Sequence, residues 1–169
     1  MNKEELLKFV DCSFNEKKSI DIVSLANTLG IAVYSEIMDS DESAFIVKDG
    51  EQFKIIVNEN QNKERQRFSI AHEIAHFVLH KSHISDGSKI GRESIDSLDN
   101  EKEIEADDLA ANIIMPVKYV DEYLETLKIE KKTFIKDEKI IKKIASNFAV
   151  SKPAIILRLR NLGYNVAYI

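Results

Sequence analysis

The sequence has one cysteine and no tryptophan among its 169 residues. A single cysteine, Cys12, excludes an internal disulfide and is consistent with a cytosolic protein. No long apolar run follows the N-terminal residues, which predicts that the chain has neither a signal peptide nor a membrane span. An excess of positive charge is also missing, since the net charge is −5, and this argues against a protein that coats nucleic acid. We therefore expect a cytoplasmic location.

The most informative stretch of the sequence is residues 67–80, whose centre, HEIAH, fits the pattern H-E-x-x-H. Residues four apart on an α-helix lie about 40° apart on one face, so His72 and His76 can both reach one zinc ion. Glu73 lies on the adjacent face, where this pattern places a general base. The neighbouring residues are mostly apolar, which predicts a buried helix. Buried polar side chains are costly unless they are paired or bound to a metal.

A third ligand is expected from elsewhere, because a catalytic zinc usually takes three protein ligands. One class of zinc proteases uses a third histidine six residues after the second, but that position is Ser82. The later apolar segment 101–116 supplies glutamates instead. Glu103 and Glu105 face nearly opposite ways on a helix. We predict Glu105 as the ligand, because it lies closer to the apolar part and precedes the small residue Ala106.

Other side chains near these segments leave alternatives open. Asp107 or Asp108 is a candidate acceptor for the outer N–H of a ligand histidine, with solvated surface as the alternative. His80 and His83 are disfavoured as ligands, because the helix has rotated away by His80 and a histidine at a helix C-terminus is favoured by the dipole. Two tyrosines on a later helix are candidates for oxyanion stabilisation, although packing is the preferred interpretation; they are Tyr119 and Tyr123.

HEIAHFVLH, followed about thirty residues later by EIEADDLAANIIMP, resembles the ImmA/IrrE-type metallopeptidases. The resemblance covers roughly residues 44–116 and departs from the family at Leu109, where phenylalanine is frequent. It implies that His72, His76 and Glu105 bind Zn²⁺ and that Glu73 is the general base. It also implies a regulatory protease, often one that acts on a helix-turn-helix repressor of a mobile element or stress regulon.

We predict an α+β fold, mainly helical and zincin-like, with a small β-sheet beside the motif helix. Residues 44–57 read as a hairpin around an Asp-Gly turn, and an exposed strand edge there would hold an extended peptide substrate. Residues 81–98 form a long polar loop, which is a candidate gate over the site. The predicted division is a metallopeptidase domain at 1–130 and a basic C-terminal lobe at 131–169, packed on the same core.

The C-terminal lobe differs in charge from the rest of the chain. Residues 139–160 contain no acidic side chain and six basic ones, which are Lys139, Lys142, Lys143, Lys152, Arg158 and Arg160. Because the whole chain has a net charge of −5, the residues outside this segment carry a net charge of −11. The apolar pattern predicts a helix-turn-helix in which Ser151 caps the second helix and Pro153 lies in its first turn. Contact with DNA, docking of a regulator and simple closure of the core all fit this pattern, with DNA binding the less favoured interpretation.

These observations favour a zinc-dependent endopeptidase, and the resemblance implies that it cuts one specific protein, a helix-turn-helix repressor. The alternative is a non-catalytic regulator with a structural zinc, which binds DNA or protein through the C-terminal lobe. Glu73 argues against the alternative, because a structural zinc site needs no carboxylate at that position. A component of a toxin–antitoxin pair is a third interpretation.

Overall fold

The computed structural model describes residues 1–14, 19–84 and 97–167. Within these ranges it contains seven α-helices and one three-stranded sheet, which confirms the predicted α+β fold. The helices are α1 (Lys3–Ser13), α2 (Ile22–Thr28), α3 (Lys63–His80), α4 (Ser97–Ile114), α5 (Val117–Thr126), α6 (Glu138–Phe148) and α7 (Lys152–Asn161). The strands are β1 (Ile31–Glu36), β2 (Ala44–Asp49) and β3 (Gln52–Asn58).

The sheet has the order β1-β3-β2, with β1 parallel and β2 antiparallel to β3. The predicted hairpin is present, and Asp49 pairs with Gln52 across its turn. Gly50 takes a φ of +59°, a conformation that glycine adopts without steric cost at the first turn position. As a result β2 forms one edge of the sheet.

Helix α3 begins at a side-chain cap, because Asn62 accepts a hydrogen bond from the Arg65 amide at 2.8 Å. It packs on the sheet and along α4, and its Ile70 and Ile74 lie in the core. Helix α4 contributes the buried side chains of Leu109 and Ile113 to the same core. The packing of α3 on α4 brings the predicted ligand-bearing helices side by side.

The C-terminal helix-turn-helix is also present. Ser151 accepts a hydrogen bond from the Ala154 amide at 3.3 Å and caps α7, and Pro153 lies in the first turn, as predicted. Phe148 and Leu159 are fully buried in the core cluster that also holds residues of α3 and α4. The division at residue 130 stays a prediction.

Arg158 does not contribute to the basic surface on which the sequence pattern placed it. Its side chain is buried, and the guanidinium donates to the Met115 carbonyl oxygen at 2.8 Å and to Asn112 Oδ1 at 2.7 Å. These acceptors lie at the end of α4, where the last carbonyl groups of a helix need donors. Arg158 therefore holds α7 on α4, and its charge is not available on the surface of the lobe.

The predicted gate at 81–98 lies largely outside the described residues. Its described beginning is a 3₁₀ turn at Lys81–His83, and its last residues fall in the first turn of α4. Across the described part of the chain, every helix is too short or too polar to span a bilayer.

Candidate metal centre

Two histidines of α3 and one glutamate of α4 converge on a single point. His72 Nε2 lies 3.1 Å from Glu103 Oε2, and His76 Nε2 lies 3.1 Å from Glu103 Oε1. The two Nε2 atoms are 2.9 Å apart. One ligand atom from each of these three side chains lies within 4.8 Å of the others, and the described residues contain no other such group of metal-ligating side chains.

The glutamate at this point is Glu103, which corrects the prediction of Glu105. Glu105 is two residues further along α4, so its side chain leaves the helix on nearly the opposite side. Its carboxylate is 63% exposed and lies 3.6 Å from His80 Nε2, whereas the Glu103 side chain is 29% exposed. Proximity to the apolar part of the helix was the wrong criterion, since the angle at which α4 crosses α3 decides which residue faces the histidines.

Asp107 explains why Glu103 is the residue that faces them. Its Oδ1 lies 2.8 Å from His72 Nδ1, which makes it the outer acceptor that the sequence proposed for Asp107 or Asp108. Residues four apart share a helix face, so a helix that presents Asp107 to His72 also presents Glu103. The sequence alone did not select this pair, because Glu105 and Asp108, three residues apart, also share a helix face.

The hydrogen bonds around His72 and Glu103 shift the pKa of both groups. Burial by itself lowers the pKa of His72, but hydrogen bonds to Asp107 and Glu103 outweigh it and raise the pKa to about 9. Hydrogen bonds to His72 and then His76 hold the pKa of Glu103 well below its usual range. In the metal-free protein, His72 is therefore protonated at neutral pH and Glu103 is charged.

Glu73 lies beside this centre but is more deeply buried than Glu103. Its side chain is buried, and burial raises its pKa to about 7, although the charges of His72 and His76 act in the opposite direction. The backbone amide of Ile46 in β2 donates a hydrogen bond to the Glu73 carboxylate. The other oxygen, Oε2, is buried and has no hydrogen-bond partner among the described atoms.

The donor set fits a divalent metal ion. Asp107 accepts a hydrogen bond from the Nδ1–H of His72, which leaves the lone pair on Nε2 once the ring is neutral, the usual tautomer of a metal-bound histidine. That lone pair then faces His76 Nε2 and the Glu103 carboxylate, so two imidazoles and a carboxylate meet at one point. Two histidines and a carboxylate are a ligand set that catalytic zinc takes in proteins.

We expect the zinc affinity of the metal-free protein to rise about tenfold per pH unit from pH 7 to about 9 and then to level off. A protonated His72 cannot ligate, and below its pKa of about 9 that proton must be released when the ion binds. Competition with a chelator of known pH dependence measures the change. Asp107→Asn removes the carboxylate charge that helps to raise this pKa, so the rise should end at a lower pH. A flat affinity between pH 7 and 9 would contradict this account of His72.

Four other candidate side chains lie away from the point of convergence. The ring of His80 is 5.6 Å from that of His76, and the ring of His83 is 6.4 Å from that of His80. Tyr119 donates to the Asp11 carbonyl oxygen at 2.8 Å, and the ring of Tyr123 packs edge-on against Phe148. Both tyrosines thus have packing roles, and neither meets the three converging side chains.

Comparison with known proteins extends these observations. The family described as the IrrE N-terminal-like domain, Peptidase_M78, matches residues 26–160. Among curated proteins, no match was found. A solved structure described as a Mycobacterium tuberculosis transcriptional regulator superposes with a TM-score of 0.62 at 14% identity, over 93% of this chain and 46% of its own. The chain thus spans about half of that protein, with which it shares the fold. With more than half of its length matched, the chain belongs to the IrrE N-terminal-like family of metallopeptidase domains.

Proposed function

We propose that the protein is a zinc-dependent endopeptidase that hydrolyses a peptide bond in a specific protein, a helix-turn-helix repressor. The observation that carries this proposal is the buried carboxylate of Glu73 beside His72, His76 and Glu103. A purely structural zinc would need ligands alone, whereas a costly buried carboxylate next to them supports catalysis.

The chemistry that zinc supplies when bound at such a centre is Lewis-acid activation of water and of the peptide carbonyl. Glu73 accepts the proton of the attacking water at its partnerless Oε2. It then delivers this proton to the leaving amine. A pKa of about 7 suits both steps, because a general acid–base group works best when its pKa is close to the working pH.

The edge strand β2 supports a site for an extended substrate. β2 pairs with β3 along one side only, and an added strand can pair with the backbone groups of the other side. The Ile46 amide in this strand contacts the Glu73 carboxylate. A peptide paired along β2 would therefore pass close to Glu73, the position required of the bond that is cut.

The surface of the C-terminal helices supports a protein partner over DNA. Lys139, Lys142 and Lys143 of α6 are exposed, which leaves a basic surface for an acidic partner. On α7, however, Leu157 is 61% exposed and lines an open groove of about 300 Å³ between the two helices. A recognition helix reads DNA bases largely through polar side chains, so an apolar side chain at this place fits a protein surface better.

We expect Lys142→Glu combined with Lys143→Glu to weaken cleavage of the partner by about tenfold or more, through slower association. Both side chains are exposed on α6, so zinc content and thermal stability should not change. The matched control is Lys3→Glu with Lys8→Glu, which makes the same charge change on exposed positions of α1. If the α6 variant instead lost binding to a DNA duplex and kept full proteolysis, the lobe would be a DNA reader.

The proposed activity is tested by mapping new N-termini. Zinc-loaded protein is added to an extract of the cells that carry this chain, and mass spectrometry identifies the N-terminal peptides. We expect a small number of cleavage sites, with at least one in a helix-turn-helix repressor, and none with protein that has been stripped of metal by a chelator. Absence of new N-termini would contradict the protease proposal. Sites confined to other classes of protein would contradict the proposed substrate.

A further inference from the structure

His80 is a buried side chain that the proposed mechanism does not use. It lies one turn beyond His76 on α3, its side chain is 9% exposed, and its Nε2 atom is buried without a hydrogen-bond partner among the described residues. The ring donates to the backbone carbonyl of Lys102, and since Nε2 has no partner, the donor is Nδ1.

Glu105 faces the Nε2 atom of His80. Its Oε2 atom lies 3.6 Å from His80 Nε2, a distance too long for a hydrogen bond. Two ligands of one tetrahedral zinc, each bonded at about 2.0–2.2 Å, lie about 3.3–3.6 Å apart. The two atoms are therefore spaced as ligands of a shared cation, and neither has a hydrogen to offer the other when the imidazole is neutral.

His83 supplies a third donor of the same kind. Its ring lies 6.4 Å from that of His80, in the 3₁₀ turn that follows α3, and the side chain is exposed. The proposed site requires this exposed ring to turn so that one of its nitrogens faces the pair. Two imidazoles and a carboxylate favour zinc and related transition-metal ions over magnesium or calcium.

We propose that His80, Glu105 and His83 form a second site for a divalent transition-metal cation, one helical turn from the first centre. The Lys102 carbonyl fixes the His80 tautomer there, as Asp107 does for His72 in the first centre. Two of the three ligands are exposed and must lose conformational freedom on binding. The second site is therefore the weaker one and fills after the first.

The experiment titrates metal-free protein with Zn²⁺ against a colorimetric chelator, and with Co²⁺ by its visible absorption. Wild-type protein should bind two ions. Glu105→Gln and His80→Gln should each weaken the second ion at least about tenfold and leave the first unchanged. His72→Ala should lose the first ion and retain the second, which separates this site from the proposed catalytic one. Glu101→Gln, an equally conservative change at another exposed position of α4, should retain both.

Glu105→Gln carries the test independently of folding, because Glu105 is exposed whereas His80 is buried. A single ion per chain at saturating Zn²⁺ would overturn the proposal and leave His80 and Glu105 as a polar contact between α3 and α4. A second ion with unchanged affinity in both variants would also overturn it, since that ion would then bind elsewhere.

Discussion

Glu103→Gln should reduce the affinity of the first zinc by at least about a hundredfold, whereas Glu105→Gln should leave that affinity unchanged. Loss of a partner that only orients a ligand already costs about 10–100-fold, and Glu103 contacts both histidines directly, at 3.1 Å each. Glutamine keeps the shape of the side chain but removes the charge. The measurement is competition with a chelator at no more than one zinc per chain, so that only the tighter site is occupied.

The comparison of these two variants decides which face of α4 is turned to the metal. Both substitutions are identical in chemistry and lie two residues apart, so general effects on the helix cancel. Thermal unfolding of the metal-free proteins serves as the control for folding. If Glu105→Gln released the first zinc and Glu103→Gln did not, α4 would have to be rotated by about half a turn from the orientation described above.

The histidine pair was predictable because its geometry is local. Residues four apart on one helix share a face whatever the surrounding fold, so His72 and His76 needed only a correct helix assignment. The cap at Ser151 was predictable for the same reason, since the acceptor and the Ala154 amide are three residues apart. In both cases the spacing along the chain fixes the distance in space.

The position of Glu103 beside the histidines and the burial of Arg158 were not predicted, because both depend on how helices cross. Glu103 faces the histidines only through the packing of α4 on α3. Arg158 was counted as a surface charge, yet its guanidinium reaches the Met115 carbonyl 43 residues earlier in the chain. Composition gives the net charge of a segment, but it does not show which of its side chains are buried. Such pairings require the tertiary structure.

Glu73→Gln should abolish hydrolysis of the substrate, with a loss of about 10²–10⁴-fold or more, and should retain the zinc. A general acid–base group contributes about this factor, and glutamine cannot take up the proton. Glu73 is not one of the three converging side chains, so the variant keeps all three proposed ligands. The measurement is the rate of appearance of the new N-terminus in the partner protein, with zinc content determined on the same sample.

The pH dependence of the free energy of unfolding distinguishes loss of the general base from loss of the fold. The buried Glu73 has a pKa raised from 4.5 to about 7, so in the metal-free protein its ionisation opposes folding as the pH rises through this window. Glutamine has no such ionisation, and the variant should therefore lose less stability than wild type between about pH 4.5 and 7. A variant that is at least as stable at pH 7, holds one zinc and does not cut would place Glu73 in the chemistry. If the same variant cleaved the substrate at the wild-type rate, Glu73 would not be the general base and another residue would have to accept the proton.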